Sequence, residues 1–345
     1  MFKKISVLFL CLVLCLAVGC SKNKETLGVD DGDIIDEQTP VSDELYINNL
    51  TGIKELSKDD KDNRPVAIMV NNIYKAQAVQ TGLYDADIVY ETEVEGGITR
   101  LLAVYKNISE TPKIGTVRSA RYAYIDLAAG HNAVYVHHGQ DEVHAVPHFN
   151  VVDRFVVDKN NGGGRESNGL SSEHTLYAYG DKLYDAIKNK GINLTDSNAQ
   201  NWVNFASEDE AVAFENVATS VKVPFSTSYV TNFKYNQESG KYVRYSSNVE
   251  RKDYVTNESL EFKNIFVLKT LIRSNCNCSA GHKEVLLESG EGYYVANGTY
   301  TPIKWSKGAA NNGFKFTNAD GSELKVNAGN SWVCLVSQYE SIELT

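Results

Sequence analysis

Residues 85–107 read DADIVYETEVEGGITRLLAVYKN, and two features of the stretch decide how the rest is read. The run IVYETEV alternates: Ile88, Tyr90, Thr92 and Val94 fall on one face, and Val89, Glu91, Glu93 and Glu95 on the other. That period of two predicts a strand. Gly96-Gly97 followed by ITRLLAVY predicts a hairpin return. Three glutamates would then share one strand face, successive ones roughly 6.5–7 Å apart. Unpaired, they would repel and raise one another's pKa values. A solvated strand face gives this pattern. So does a carboxylate site, because glycan-cleaving enzymes hold two carboxyl groups about 5–9.5 Å apart. A general acid or base also needs a pKa near working pH. Glu91 and Glu93 are therefore candidate acid/base residues.

Outward from this hairpin, PVAIMV (65–70) is an apolar run suited to a buried strand. SARYAYIDLAAG predicts a helix with Ser119 near its N-cap and Gly130 near its end. NAVYVHHG reads as a strand, and YGDKLYDAIKNKG as an amphipathic helix stopped by Gly191. Residues 46–215 are thus expected to form a mixed α/β domain. From residue 222 the texture changes to short Tyr-, Val- and Thr-rich runs with turn signals at Asn297-Gly298 and Asp320-Gly321. A smaller, mostly β domain over 222–345 is expected. The fold class is α+β.

Arg118 and Arg121 flank the predicted helix start. Free N–H groups and a partial positive charge there would favour an anion. Arg pairs bidentately with carboxylate or phosphate, so both are candidates for ligand binding or for pairing the glutamates. Five of the seven histidines fall in HNAVYVHHGQDEVHAVPHF. His138, before the Gly139 bend, is the site candidate. His144 and His148 have ligand spacing, with Asp141 and Glu142 near, but Pro147 between them disturbs a helix. Neither a resident metal nor a cofactor is expected. The glycine-rich run NNGGGRESNGLSSEHTLYAYGDKL (160–183) has no Lys-Ser/Thr after its glycines, so it is not a phosphate-binding loop. It reads as a lid or site wall carrying Arg165 and His174.

The chain opens with Lys3 and Lys4, an apolar run from Val7 to Val18, and Ala17-Val18-Gly19-Cys20. The run is shorter than the roughly 20 residues that span a bilayer and reads as an export signal over 1–19. Ala17-Val18-Gly19-Cys20 resembles a bacterial lipobox, so Cys20 is the expected lipidation site. Acyl chains contribute about 0.8 kcal/mol per buried methylene. The polar, acidic stretch to residue 45 reads as a disordered tether. The formal charge is −10, and loss of Lys3 and Lys4 with the leader makes it two units more negative. Nucleic-acid binding is therefore excluded as an expectation. Contact with an anionic polymer would need a local basic patch. Outside the cytoplasm Cys276 or Cys278 can pair with Cys334, and the connectivity stays open.

Taken together, RPVAIMVNN, AQAVQTGLYDADIVYETEVEGGITRLLAVY, IGTVRSARYAYIDLA and NAVYVHHG resemble the N-terminal domain of the YerB-like lipoproteins of Gram-positive bacteria. GYYVANGTYTPIKWSK, NADGSEL and NAGNSWVCLV resemble that family's C-terminal domain. The chain departs from the family pattern at Thr116, where Pro is frequent, and at SSEHTLY, where Pro-His-Asn is frequent. The resemblance implies a lipid-anchored protein in two domains on the extracytoplasmic face of the cell membrane, and implies no reaction. Glu91, Glu93 and Glu95 are expected to face a polar cleft with Arg100, Arg118 and Arg121, walled by His138, Arg165 and His174. Such a cleft would bind a cell-wall polymer or an envelope protein. The alternative expectation is a peptidoglycan glycan-strand lyase or hydrolase using Glu91 or Glu93.

Overall fold

The computed structural model describes residues 44–274 and 281–345. The signal, Cys20, most of the tether, Cys276 and Cys278 lie outside the described residues. The principal strands are β1 (Val66–Asn71), β2 (Ile88–Glu95), β3 (Ile98–Tyr105), β4 (Val134–His137) and β5 (Arg154–Val156) in the first segment. In the second they are β6 (Ser220–Pro224), β7 (Val230–Asn236), β8 (Lys241–Ser246), β9 (Asn264–Thr270), β10 (Ser289–Ala296), β11 (Thr299–Ser306), β12 (Lys315–Asn318) and β13 (Ser331–Ser337). The longer helices are α1 (Tyr122–Gly130) and α2 (Gly180–Asn189). Strand accounts for 41% and helix for 12% of the structure, which is mostly β, and both longer helices lie in the first segment.

One 11-stranded sheet organises the molecule, and it crosses from one segment to the other. Its order runs from Asn216–Val217 through β11, β10, β9, β13, β2, β3, β1 and β4 to β5, with β12 beside β11. The last principal strand, β13, lies parallel between β9 and β2, with Ser331 opposite Ile88 and Leu335 opposite Thr92. A second, six-stranded sheet built around β6, β7 and β8 packs on one face. It shares a core with α2 and with Val89, Leu101, Ile265 and Trp332 of the large sheet. The opposite face is covered by α1 and an aromatic cluster of Trp202, Phe314 and Phe316 over Tyr90, Leu102 and Val333. Burial on both faces is why β1 reads as an unbroken apolar run, every residue of it buried.

The hairpin forms where predicted. Gly96 and Gly97 both have positive φ, 57° and 74°, as a two-residue hairpin loop matched to the strand twist requires. The register shifts between Glu93 and Glu95: Glu93 faces Thr99, but Glu95 already faces Ile98. This bulge breaks the alternation, so Glu95 leaves the face on which Glu91 sits. Helix α1 starts later than the sequence predicts. Arg121, not Ser119, precedes its first turn, and no side chain caps it. The glycine-rich run is no free lid: Gly163–Arg165 pairs with Leu176–Ala178, which pairs with Ile114–Gly115 in a three-stranded sheet. Cys334 is fully buried on β13.

Candidate functional site

The three glutamates go to three different places, which corrects the expectation of a shared cleft. Glu91 is 0% exposed. Its Oε1 accepts from Asn72 Nδ2 at 2.9 Å and Thr99 Oγ1 at 2.8 Å, and its Oε2 from Thr231 Oγ1 at 3.0 Å. Arg244 Nη2 of β8 stands 3.7 Å from Oε1, itself 0% exposed. Burial pushes the carboxyl pKa up, while Arg244 and the hydroxyl donors pull it back. At 0% exposure the Glu91 carboxylate is sealed between the two sheets, and it joins the two segments through Thr231 and Arg244.

Glu93 is nearly buried and pairs with Lys283 Nζ at 3.3 Å. Burial raises its pKa, and Lys283 opposes the rise. Glu95, turned by the bulge, meets two arginines. Arg121 donates to it through Nε at 2.8 Å and Nη2 at 2.7 Å, and Arg100 through Nη2 at 2.8 Å. Burial would raise this carboxyl, but the Arg121 hydrogen bonds and both positive charges outweigh it and hold the pKa low. Arg100 also donates to the Ser119 carbonyl at 2.5 Å, fixing the chain that leads into α1.

The other four candidates do converge. Arg118 takes its place because its N–H bonds the Met69 carbonyl and its own carbonyl accepts from the His138 N–H. Its guanidinium donates to the Glu173 carbonyl at 2.9 Å. His138 donates from Nδ1 to the Val157 carbonyl at 2.8 Å, so its Nε2 is the acceptor of Arg165 Nη2 at 3.2 Å. Arg165 also donates to the Ser172 carbonyl. His174 is buried and accepts at Nδ1 from Asn71 Nδ2 at 2.9 Å. Burial and the charges of Arg118 and Lys75 lower its pKa against the pull of Glu173, so it is neutral. The result is a loop surface with two guanidiniums, Arg165 exposed and Arg118 half-buried, and one accessible carboxylate at Glu173, 3.6 Å from Arg118 Nη2.

A different cluster joins residues the sequence reading kept apart. His148 pairs with Asp126 at 2.6 Å, not with His144. Asp141 and His144 meet His282, which comes from the second segment. Local spacing could not find His282, because its partners lie more than 130 residues away in the chain.

Elsewhere, Asp87 borders a cavity of ≈ 400 Å³ that also carries Glu55, Asp60, Asp85 and Glu110. It accepts from the Lys106 N–H at 2.6 Å and Asn48 Nδ2 at 2.8 Å. Loss of solvation pushes its pKa up to about 7. A raised folded-state pKa stabilises fully below the unfolded value and loses that contribution as pH rises through the folded one. Asp87→Asn is therefore expected to flatten the fall in stability between about pH 4 and 7, read from urea midpoints. An unchanged pH profile would refute the assignment.

Residues 50–193 match the family described as protein of unknown function (DUF3048), N-terminal domain, and residues 221–333 match its C-terminal domain. The chain belongs to this family. It is 29% identical, over 100% of its length and 98% of the relative, to the protein of Bacillus subtilis (strain 168) named "Putative lipoprotein YerB". The crystal structure of the YerB protein from Bacillus subtilis superposes with a TM-score of 0.75 at 25% identity, covering 87% of this chain and 99% of that one. Among the described residues no helix is long and apolar enough to cross a membrane.

Proposed function

We propose that this chain is a lipid-anchored protein on the extracytoplasmic face of the cell membrane that binds an anionic cell-wall polymer through the Arg118–His138–Arg165 surface. The observation that carries the reading is the convergence of that surface. Segments around residues 118, 138, 165 and 174 meet there, and every one of them is held by backbone hydrogen bonds. Preorganised guanidiniums suit phosphate or carboxylate groups on a polymer. They provide the local basic patch that a net charge of −10 otherwise denies. Anchoring rests on Cys20 behind its apolar run, and on the name of the relative.

The test is co-sedimentation of the purified chain with cell-wall sacculi. Charge-assisted hydrogen bonds contribute about 1.5–3 kcal/mol each, so the double variant Arg118→Ala, Arg165→Ala should bind at least about tenfold more weakly. Binding should weaken with salt and with walls stripped of their anionic polymer. Wild-type binding that ignores both the variant and the salt would sink the reading. No binding at all would transfer the surface to an envelope protein.

A further inference from the structure

The geometry points to a divalent transition-metal site formed by Asp141, His144 and His282, with zinc as the ion its donors suit. Asp141 stands at the start of the turn after Gly139. Its Oδ1 accepts from the Val143 N–H at 3.0 Å and the His144 N–H at 3.3 Å, which locks the carboxylate. Its Oδ2 faces two imidazoles at once: His144 Nδ1 at 2.9 Å and His282 Nδ1 at 3.0 Å. The three ligand atoms lie within 4.8 Å of one another. Asp141 is nearly buried, while the two imidazoles keep a small exposure through which an ion can enter.

Hydrogen bonding accounts for only half of this. His144 satisfies Asp141 Oδ2 at 2.9 Å, but the His282 Nδ1, 3.0 Å away, has no hydrogen-bond partner among the described residues. A buried ring nitrogen aimed at a carboxylate without a bond needs an explanation. One ion between the three atoms gives each a partner. Zinc bonds nitrogen and carboxylate oxygen at about 2.0–2.2 Å, so ligands on a tetrahedron edge stand about 3.3 Å apart. The two carboxylate–imidazole edges must open by only a few tenths of an ångström, and the edge between the two imidazoles, within 4.8 Å, must come to the same length. On binding, His144 moves its proton from Nδ1 to the outward Nε2, and the backbone donors to Oδ1 are kept. Two imidazoles with one carboxylate exclude calcium and magnesium, which take oxygen ligands. Three protein ligands leave the fourth position to water.

The ion would also fasten the segments, because Asp141 and His144 belong to the first and His282 to the second. His282 is followed by Lys283, which pairs Glu93, and by the strand Lys283–Val285, held to α1 by Tyr122 through Val285. His282 stands near the Glu95 carboxylate. The site thus sits beside the carboxylate–arginine cluster and uses none of the wall-binding residues proposed above.

The experiment is equilibrium dialysis of the full chain against micromolar zinc, followed by elemental analysis, with cobalt as a spectroscopic probe. One zinc per chain is expected, with a rise in melting temperature. His282→Gln and Asp141→Asn should each weaken binding about 100-fold or more, since loss of even an outer partner costs 10–100-fold. His148→Ala, which removes only the Asp126 pair, should leave it unchanged. The cobalt spectrum should show visible bands of nitrogen and oxygen ligands, without a thiolate charge-transfer band. His282 lies outside both cores, so His282→Gln should remain folded by circular dichroism even if Asp141→Asn does not. No zinc at this concentration, full zinc in folded His282→Gln, or a strong thiolate band would each overturn the assignment.

Discussion

Cut after residue 215, the first segment is expected not to fold on its own. Residues 44–215 are expected to give no cooperative unfolding transition, and residues 216–345 co-expressed with them to restore one. The reason lies in the sheet. Strand β13 supplies the parallel neighbour of β2 over five residue pairs, from Ser331–Ile88 to Leu335–Thr92. Removing it bares a central strand that is buried from Ile88 to Val94, and an exposed apolar edge pairs with other chains. It also strips the shared cores of Trp332, Val333 and Leu335, all 0% exposed. Net stabilities are typically only about 5–15 kcal/mol, so losing one such layer removes all of it. The check is a urea titration of 44–215 by circular dichroism, alone and with its partner fragment. A sharp transition for 44–215 alone would show that the N-terminal family region is self-sufficient despite the shared sheet.

Local pattern made much of this legible. The apolar run at 65–70, the alternation at 88–94, the two positive-φ glycines and the helix at 180–189 each depend on neighbours in sequence, and each formed. What local pattern cannot encode is which strands meet. NSWVCLV reads as a buried strand, but nothing in it specifies β2 as its neighbour some 240 residues earlier. The single-residue bulge before Glu95 was equally hidden, and it overturned the expectation that the glutamates share a face.

The site was legible as a list of residue types and not as a set of partners. Arg118, His138, Arg165 and His174 were chosen separately and meet. His282 and Arg244 were missed. For Arg244 a signal existed. In KYVRYS, Tyr242, Arg244 and Ser246 fall on one face of a strand, and that face is the buried one. An arginine at an inward position requires a carboxylate, and the opening stretch holds three.

That pairing sets the other large effect. Glu91→Ala should lower stability by about 3–5 kcal/mol, because it leaves the Arg244 guanidinium buried without its counter-charge. At roughly 2–4 °C per kcal/mol, the melting temperature should fall by about 10 °C. Arg244 has little else to lean on. Its guanidinium lies 4.7 Å from the Trp332 ring centre, and its Nε and Nη1 have no hydrogen-bond partner among the described residues. Burial alone already lowers its pKa, with Glu91 opposing. Replacing both partners removes the stranded charge, so Glu91→Leu with Arg244→Met should recover most of the loss. Urea midpoints of the two single variants and the double variant, at constant slope, decide it. A catalytic Glu91 would behave otherwise, since its removal would spare or raise stability and abolish an activity. Equal stability of wild type and Glu91→Ala would therefore break the structural assignment and reopen the catalytic one.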